Sequence, residues 1–185
     1  MSNIHKPLKY ISRDKEYELI EKLVIQVDNS NFTPSNTAVL MVSPDYSATV
    51  AMHLAHAWSR SGDILEIIPV DVPFPAESVW PFIEKLRDTL TKYCKYDGEL
   101  PSGELPKHLV LVEAGIITGN NWQWIIDVLN EFGFKRSDLT LVALCENLHS
   151  KTKSDYVGEY YDGDKEELAF YFERYNRHWS QVDQG

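Results

Sequence analysis

Cysteine is scarce in this chain: Cys94 and Cys145 are the only two among 185 residues, too few for a disulfide framework. Cys145 lies inside an apolar run, and both are expected as buried, reduced thiols. Basic residues are also short, 18 against 28 acids, for a formal net charge of −10. That balance disfavours non-specific nucleic-acid binding, which needs Lys and Arg to displace counterions. The same balance leaves little basic surface for any polyanionic ligand. No apolar run approaches the ~18 residues of a membrane span. The segment Met1 to Lys6 carries no apolar signal core, so the expectation is a cytoplasmic protein away from membranes. There is neither an internal repeat nor a low-complexity tract.

What is present is enough for a packed core. Hydrophobic residues make up 43% and aromatics 12%, which excludes a disordered chain, and the length suits one domain over 1–185. Apolar periodicity predicts a first helix over Asp14 to Val27, with Tyr17, Ile20, Leu23, Val24 and Val27 on one stripe. A strand over Ala38 to Val42 follows, then a break at Pro44-Asp45 and a helix from Ser47 to Arg60. Asp45 reads as the N-cap of that helix. A second strand covers Ile64 to Val70, closed by Pro73 to Pro75, and a long helix runs from Glu77 to about Tyr93. Asp97 to Pro106 is a Gly/Pro loop. Further strands cover Leu109 to Glu113, Leu139 to Leu144 and Tyr156 to Tyr161. A helix from Trp122 to Phe132 stops at Gly133, and a last one from Asp164 to about His178 opens on a capping-box-like Asp164-x-x-Glu167. Continuous apolar strands alternating with helices predict a three-layer α/β fold, a parallel sheet with helices on both faces.

Ligands in such folds sit beyond the carboxyl ends of the strands. The segment Leu109-Val110-Leu111-Val112-Glu113-Ala114-Gly115-Ile116-Ile117-Thr118-Gly119-Asn120-Asn121 has the parts for one: an apolar strand, an acid at its tip, a small-residue loop, and a helix start. Loop amides and the positive end of the helix dipole can hold a phosphate, while a carboxylate can hold ribose hydroxyls. The ordinary alternative is a βα turn capped by a hydroxyl. Elsewhere, His53 and His56 share a polar helix face without a third ligand. Tyr171, Phe172, Tyr175 and Trp179 have helical spacing and read as core or dimer packing. Lys151 and Lys153 form the most basic patch near the turn.

With this order of elements, the motif resembles the type I phosphoribosyltransferases, whose signature is an apolar strand, one or two acids, and Thr-Gly before a helix. Glu113 matches the first acid and Thr118-Gly119 the phosphate turn. Ala114, Ile117 and Asn121 stand where many members carry a second acid, purine-using members a base, and the signature a terminal hydroxyl; uracil phosphoribosyltransferases also lack the second acid and have a small apolar residue before Thr-Gly. Ser154-Asp155-Tyr156-Val157-Gly158-Glu159 is similar to the Asp-Phe-Val-Gly segment of hypoxanthine-guanine phosphoribosyltransferases. The resemblance implies that Glu113 is the catalytic-site acid and that Thr118, Gly119, Asn120 and Asn121 hold a 5′-phosphate. It also implies that Tyr156, with Val157, stacks on the base and that Asp162 serves the metal, Mg2+. Glu146 stands where the hypoxanthine-guanine enzymes carry a lysine that reads an exocyclic oxygen, so a carboxylate there would favour an amino group.

The implied ligand is phosphoribosyl pyrophosphate or a nucleoside monophosphate, and the implied assembly is a homodimer. Two parts of the chain are assigned on the same basis: 1–35 as an N-terminal helix and linker, and 150–185 as a hood-like extension with a helix. A helical insertion between Pro73 and Pro106 replaces the flexible hairpin usual in the family. An active transferase and a catalytically silent binding or regulatory protein with a nucleotide or protein partner both fit these residues. A third possibility is a structural protein whose acidic surface meets a basic partner.

Overall fold

Apolar stretches too long and too uniform for amphipathic strands must be covered on both sides, and the structure covers them so. It is a computed structural model describing residues 6–28, 37–42, 44–59, 66–70, 79–95 and 106–170. The elements run β1 (Leu8–Ile11), α1 (Arg13–Asp28), β2 (Thr37–Val42), α2 (Pro44–Ser59), β3 (Glu66–Val70) and α3 (Val79–Lys95). They continue with β4 (His108–Ile116), α4 (Asn120–Glu131), β5 (Leu139–Asn147), β6 (Tyr156–Tyr161) and β7 (Glu167–Phe170). Strands β3-β2-β4-β5-β6 form one five-stranded sheet, parallel throughout.

Alternate strand residues feed opposite layers. Val39, Val110, Val112, Val142 and Leu144 pack with Leu19, Leu23, Val50 and Leu54 of α1 and α2. Leu40, Leu109, Leu111 and Leu141 pack with Leu86 and Leu90 of α3 and Ile125 and Leu129 of α4. The three-layer α/β architecture expected from the alternation is therefore present, and α3 is a helix within the stretch assigned to the helical insertion. Gly133, at φ 92, follows the end of α4 as expected. The N–H of Phe134 then donates to the carbonyl of Leu129 at 3.1 Å.

Both edges of the sheet carry blocking groups. Edge strand β3 has exposed Pro69 opposite Met41, and proline offers no N–H. On edge strand β6, Lys22 donates to the carbonyl of Gly158 and Lys9 to that of Tyr160 at 3.2 Å. Lys9 also pairs with Glu159 at 2.6 Å.

The larger differences from the sequence reading lie at α2, β4, β5 and the segment after Asp164. Helix α2 starts at Pro44, because proline fits the first helical position, and Asp45 falls inside the first turn instead of capping it. Strand β4 continues three residues past Glu113 and β5 three past Leu144. The helix predicted from Asp164 is not there: residues Glu167–Phe170 form β7, paired in parallel with β1. The amides of Lys165 and Glu166 both donate to the carbonyl of Asp162 at 2.9 Å, and that of Asp164 to its Oδ1 at 3.1 Å. Asp162 thus closes one turn, after which the Glu167 N–H donates to the Pro7 carbonyl at 2.9 Å. Pairing with a strand from the far end of the sequence outweighs the local cap signal. The remainder of that helix, the aromatic set 171–179, Pro73 to Pro75, most of the 97–106 loop and the Cys94 side chain lie outside the described residues.

Cys145 is fully buried, and burial pushes its thiol up to about 12. In a Cys94→Ser background, Cys145 is expected to ignore a thiol reagent until denaturant is added. Equal labelling rates with and without denaturant would overturn its placement in the core.

Candidate functional site

The carboxyl edge of β4 leads straight into α4, and the residues singled out from sequence divide here into those brought together and those kept apart. Glu113 is not at the strand tip. It pairs with Ala143, while Ile116 pairs with Glu146 at the edge. Glu113 is 5% exposed. Its Oε1 accepts the N–H of Ala114 at 3.2 Å, and Oε2 has no partner among the described residues. With so little to solvate a charge, burial pushes its carboxyl up to about 8, so it is protonated at neutral pH.

The Thr-Gly turn follows. Ile117 and Thr118 are exposed, and Thr118 Oγ1 accepts the N–H of Asn120 at 3.3 Å. Gly119 adopts φ 77, ψ 0, and α4 begins there without a side-chain cap. The N–H of Gln123, donating to the Gly119 carbonyl at 3.4 Å, marks the start of the helical bonds. The amides before it have no intrahelical acceptor, and they carry the positive end of the helix dipole. This arrangement accepts an anion.

A second wall stands against the turn. The N–H of Lys151 donates to the Thr118 carbonyl at 2.9 Å. A Cβ added to Gly119 would lie 2.7 Å from the backbone N of Thr152 and 2.8 Å from its O. Glycine is therefore required twice, by φ and by this contact.

Glu146 does not face a ligand. It is fully buried, its Oε1 accepts the Ser150 hydroxyl at 2.9 Å and its Oε2 the Ser154 N–H at 2.8 Å. Lys153 lies 3.4 Å from Oε1 and donates to the carbonyls of Asn147 and Leu148 at 3.2 and 2.8 Å. The expectation that Glu146 reads an amino group is corrected: both oxygens are turned inward.

Tyr156 and Val157 are kept apart from the turn. Tyr156 opens β6 opposite Val142, and buried Val157 pairs with Ala143. The β6 residue level with Ile116 is Tyr160, opposite Glu146 and 47% exposed. Sequence reasoning missed it by following a motif that begins the strand. The direction of a parallel strand sends its last residues, not its first, to the ligand edge.

Asp162 lies just past β6, where its oxygens accept from His149 Nε2 at 3.2 Å and Lys165 at 2.7 Å. The Lys165 ammonium is the chief reason its carboxyl is held down to about 2. Ligand atoms of His149, Asp162 and Asp164 fall within 4.8 Å of one another. The two carboxylates suit Mg2+, which takes oxygen ligands and keeps several waters, whereas the imidazole suits softer cations.

No protein-family model matches the chain, and no curated protein does. Solved structures match at low identity. A xanthine-guanine-hypoxanthine phosphoribosyltransferase of Helicobacter pylori has a TM-score of 0.62 at 16% identity, over 96% of this chain and 99% of that one. A hypothetical protein from Neisseria gonorrhoeae with bound ppGpp has a TM-score of 0.57 at 11% identity, over 93% and 95%. The hypoxanthine-guanine phosphoribosyltransferase of Leishmania tarentolae, in complex with GMP, has a TM-score of 0.52 at 13% identity, over 83% and 81%. The likeness extends over nearly the whole of the first two proteins, and at these identities it is one of fold. The chain therefore has a divergent type I phosphoribosyltransferase-like fold.

Proposed function

We propose that this protein binds a 5′-phosphorylated nucleoside or phosphoribosyl ligand, with its phosphate on the Thr118–Asn121 turn. The observation that carries this reading is the start of α4 at left-handed Gly119, an N-cap residue with no side chain to satisfy the first-turn amides, on the carboxyl edge of a parallel sheet. The Neisseria gonorrhoeae and Leishmania tarentolae proteins hold ppGpp and GMP, which supports a nucleotide-type ligand.

Amides of Gly119 and Asn121 and the Thr118 hydroxyl meet the phosphate, the Asn120 N–H being held by Thr118 Oγ1. Tyr160 replaces Tyr156 as the aromatic face offered to a base. Where the ligand is phosphoribosyl pyrophosphate, Asp162 and Asp164 hold Mg2+ through oxygen and water. Transfer would then join a nucleobase nitrogen to C1 while the C1–O bond to pyrophosphate breaks, with the chain positioning the reactants.

A binding role without turnover is the second reading, favoured by Ile117. That residue is 63% exposed beside the turn and offers no proton acceptor where purine-using members of the family often carry one.

GMP and phosphoribosyl pyrophosphate with Mg2+, titrated by thermal shift, test the site. At a hundred times Kd, stabilisation should reach about 2.7 kcal/mol. Thr118→Ala is expected to remove that shift while changing the stability of the free protein by less than about 1 kcal/mol, since its hydroxyl is exposed. No shift with any of these ligands sinks the proposal, and pyrophosphate release with a panel of bases separates transferase from binder.

A further inference from the structure

Burying a carboxylate completely is costly unless several donors converge on it, and Glu146 spends that cost on a segment with no regular structure. Its two oxygens hold Ser150 and Ser154 at 2.9 and 2.8 Å, and Lys153 closes the group at 3.4 Å. Ser154 is tied onward: its Oγ accepts the indole N–H of Trp122 at 3.0 Å. Trp122 is fully buried and sits in the first turn of α4. Between the two serines, the Lys151 amide reaches the Thr118 carbonyl at 2.9 Å, and the Thr152 backbone packs on Gly119.

We infer that Glu146 is a positioning residue for the anion turn, acting through the 147–154 segment to fix Thr118 and Gly119 from the side opposite α4. This rests on the phosphate reading above. The same segment carries Lys151, an exposed cation next to the turn in a strongly acidic chain. Glu146 would thereby set both the shape of the cradle and the backbone position of an exposed lysine beside it. A carboxylate does this where an amide does not, because it accepts from two directions at once and balances Lys153.

Glu146→Gln keeps the volume but turns one acceptor into a donor facing a donor. Hydrogen exchange at the Lys151 amide should speed up roughly ten- to a hundredfold in this variant. Affinity for GMP should fall roughly tenfold, while affinity for guanosine, which lacks the phosphate, should not change. A purely structural role for Glu146 would weaken both ligands equally or neither. Should Glu146→Gln fail to fold, Ser150→Ala removes a single donor and is expected to move the same two readouts in the same direction by less. Unchanged exchange at Lys151 overturns the inference, as does faster exchange with GMP affinity intact. If the wild-type protein binds no GMP, the phosphate reading itself fails and takes this inference with it. Wild-type binding together with an unaltered variant overturns this inference alone.

Discussion

Replacing Glu113 with glutamine is expected to make the protein markedly more stable at pH 9 and to change it little at pH 5. The folded-state carboxyl titrates near 8 rather than at its ordinary 4.5, because burial penalises the charged form. Between those two values the folded chain binds a proton that the unfolded chain has released. Stability must therefore fall as pH rises through this window and level off above it. At 1.36 kcal/mol per tenfold change in proton affinity, the full loss approaches about 4–5 kcal/mol. Glutamine carries no titration and removes the loss. At pH 5 the variant differs only by its extra donor, worth about 1–2 kcal/mol if unpaired. Urea unfolding of both proteins at pH 5, 7 and 9 measures the difference directly. A wild-type minus variant difference that stays constant across this range would show that Glu113 is not buried as described.

Gly119→Ala is expected to cost about 2–4 kcal/mol and to abolish nucleotide binding. A left-handed backbone costs an L-residue about 1 kcal/mol. The new methyl would also meet backbone atoms of Thr152 at 2.7 and 2.8 Å, and forced repacking adds about 1–3 kcal/mol. For a chain of this size the drop in Tm should be about 5–15 °C. Gly133→Ala is the matched control. Its φ is 92, yet nothing lies within 4 Å of the added Cβ, so only the backbone cost of about 1 kcal/mol remains. Equal effects at the two glycines would mean that the 151–152 backbone does not brace the turn.

Much of the architecture was legible because it rests on short-range pattern. The apolar runs at Ala38–Val42 and Leu139–Leu144 and the stripes of α1 and α4 identify strands, helices and their alternation without any partner being known. The Thr118-Gly119 turn was legible for the same reason, since left-handed backbone and a helix start leave a local signature. What escaped depended on partners distant in sequence. Glu113 read as a strand tip because an acid ends an apolar run, whereas its ladder continues opposite Cys145 and Glu146. Glu146 read as a ligand contact because it stands where the similar enzymes carry a base-reading lysine, yet Ser150, Lys153 and Ser154 fold back onto it. Residues Glu167–Phe170 carry a helix-start signal on one side and a strand partner, β1, at the other end of the chain. Tyr156 illustrates a further limit: motif similarity identifies a segment, and only strand direction tells which of its aromatics reaches the edge.

The two blocked rims of the sheet have a consequence for self-association. A sheet lengthens into a neighbouring copy only where a free row of amides and carbonyls is on offer. Here Pro69 interrupts one row, and the ammonium groups of Lys9 and Lys22 cover carbonyls of the other. Strand-by-strand growth of the five-stranded sheet into fibrils is thus opposed on both flanks.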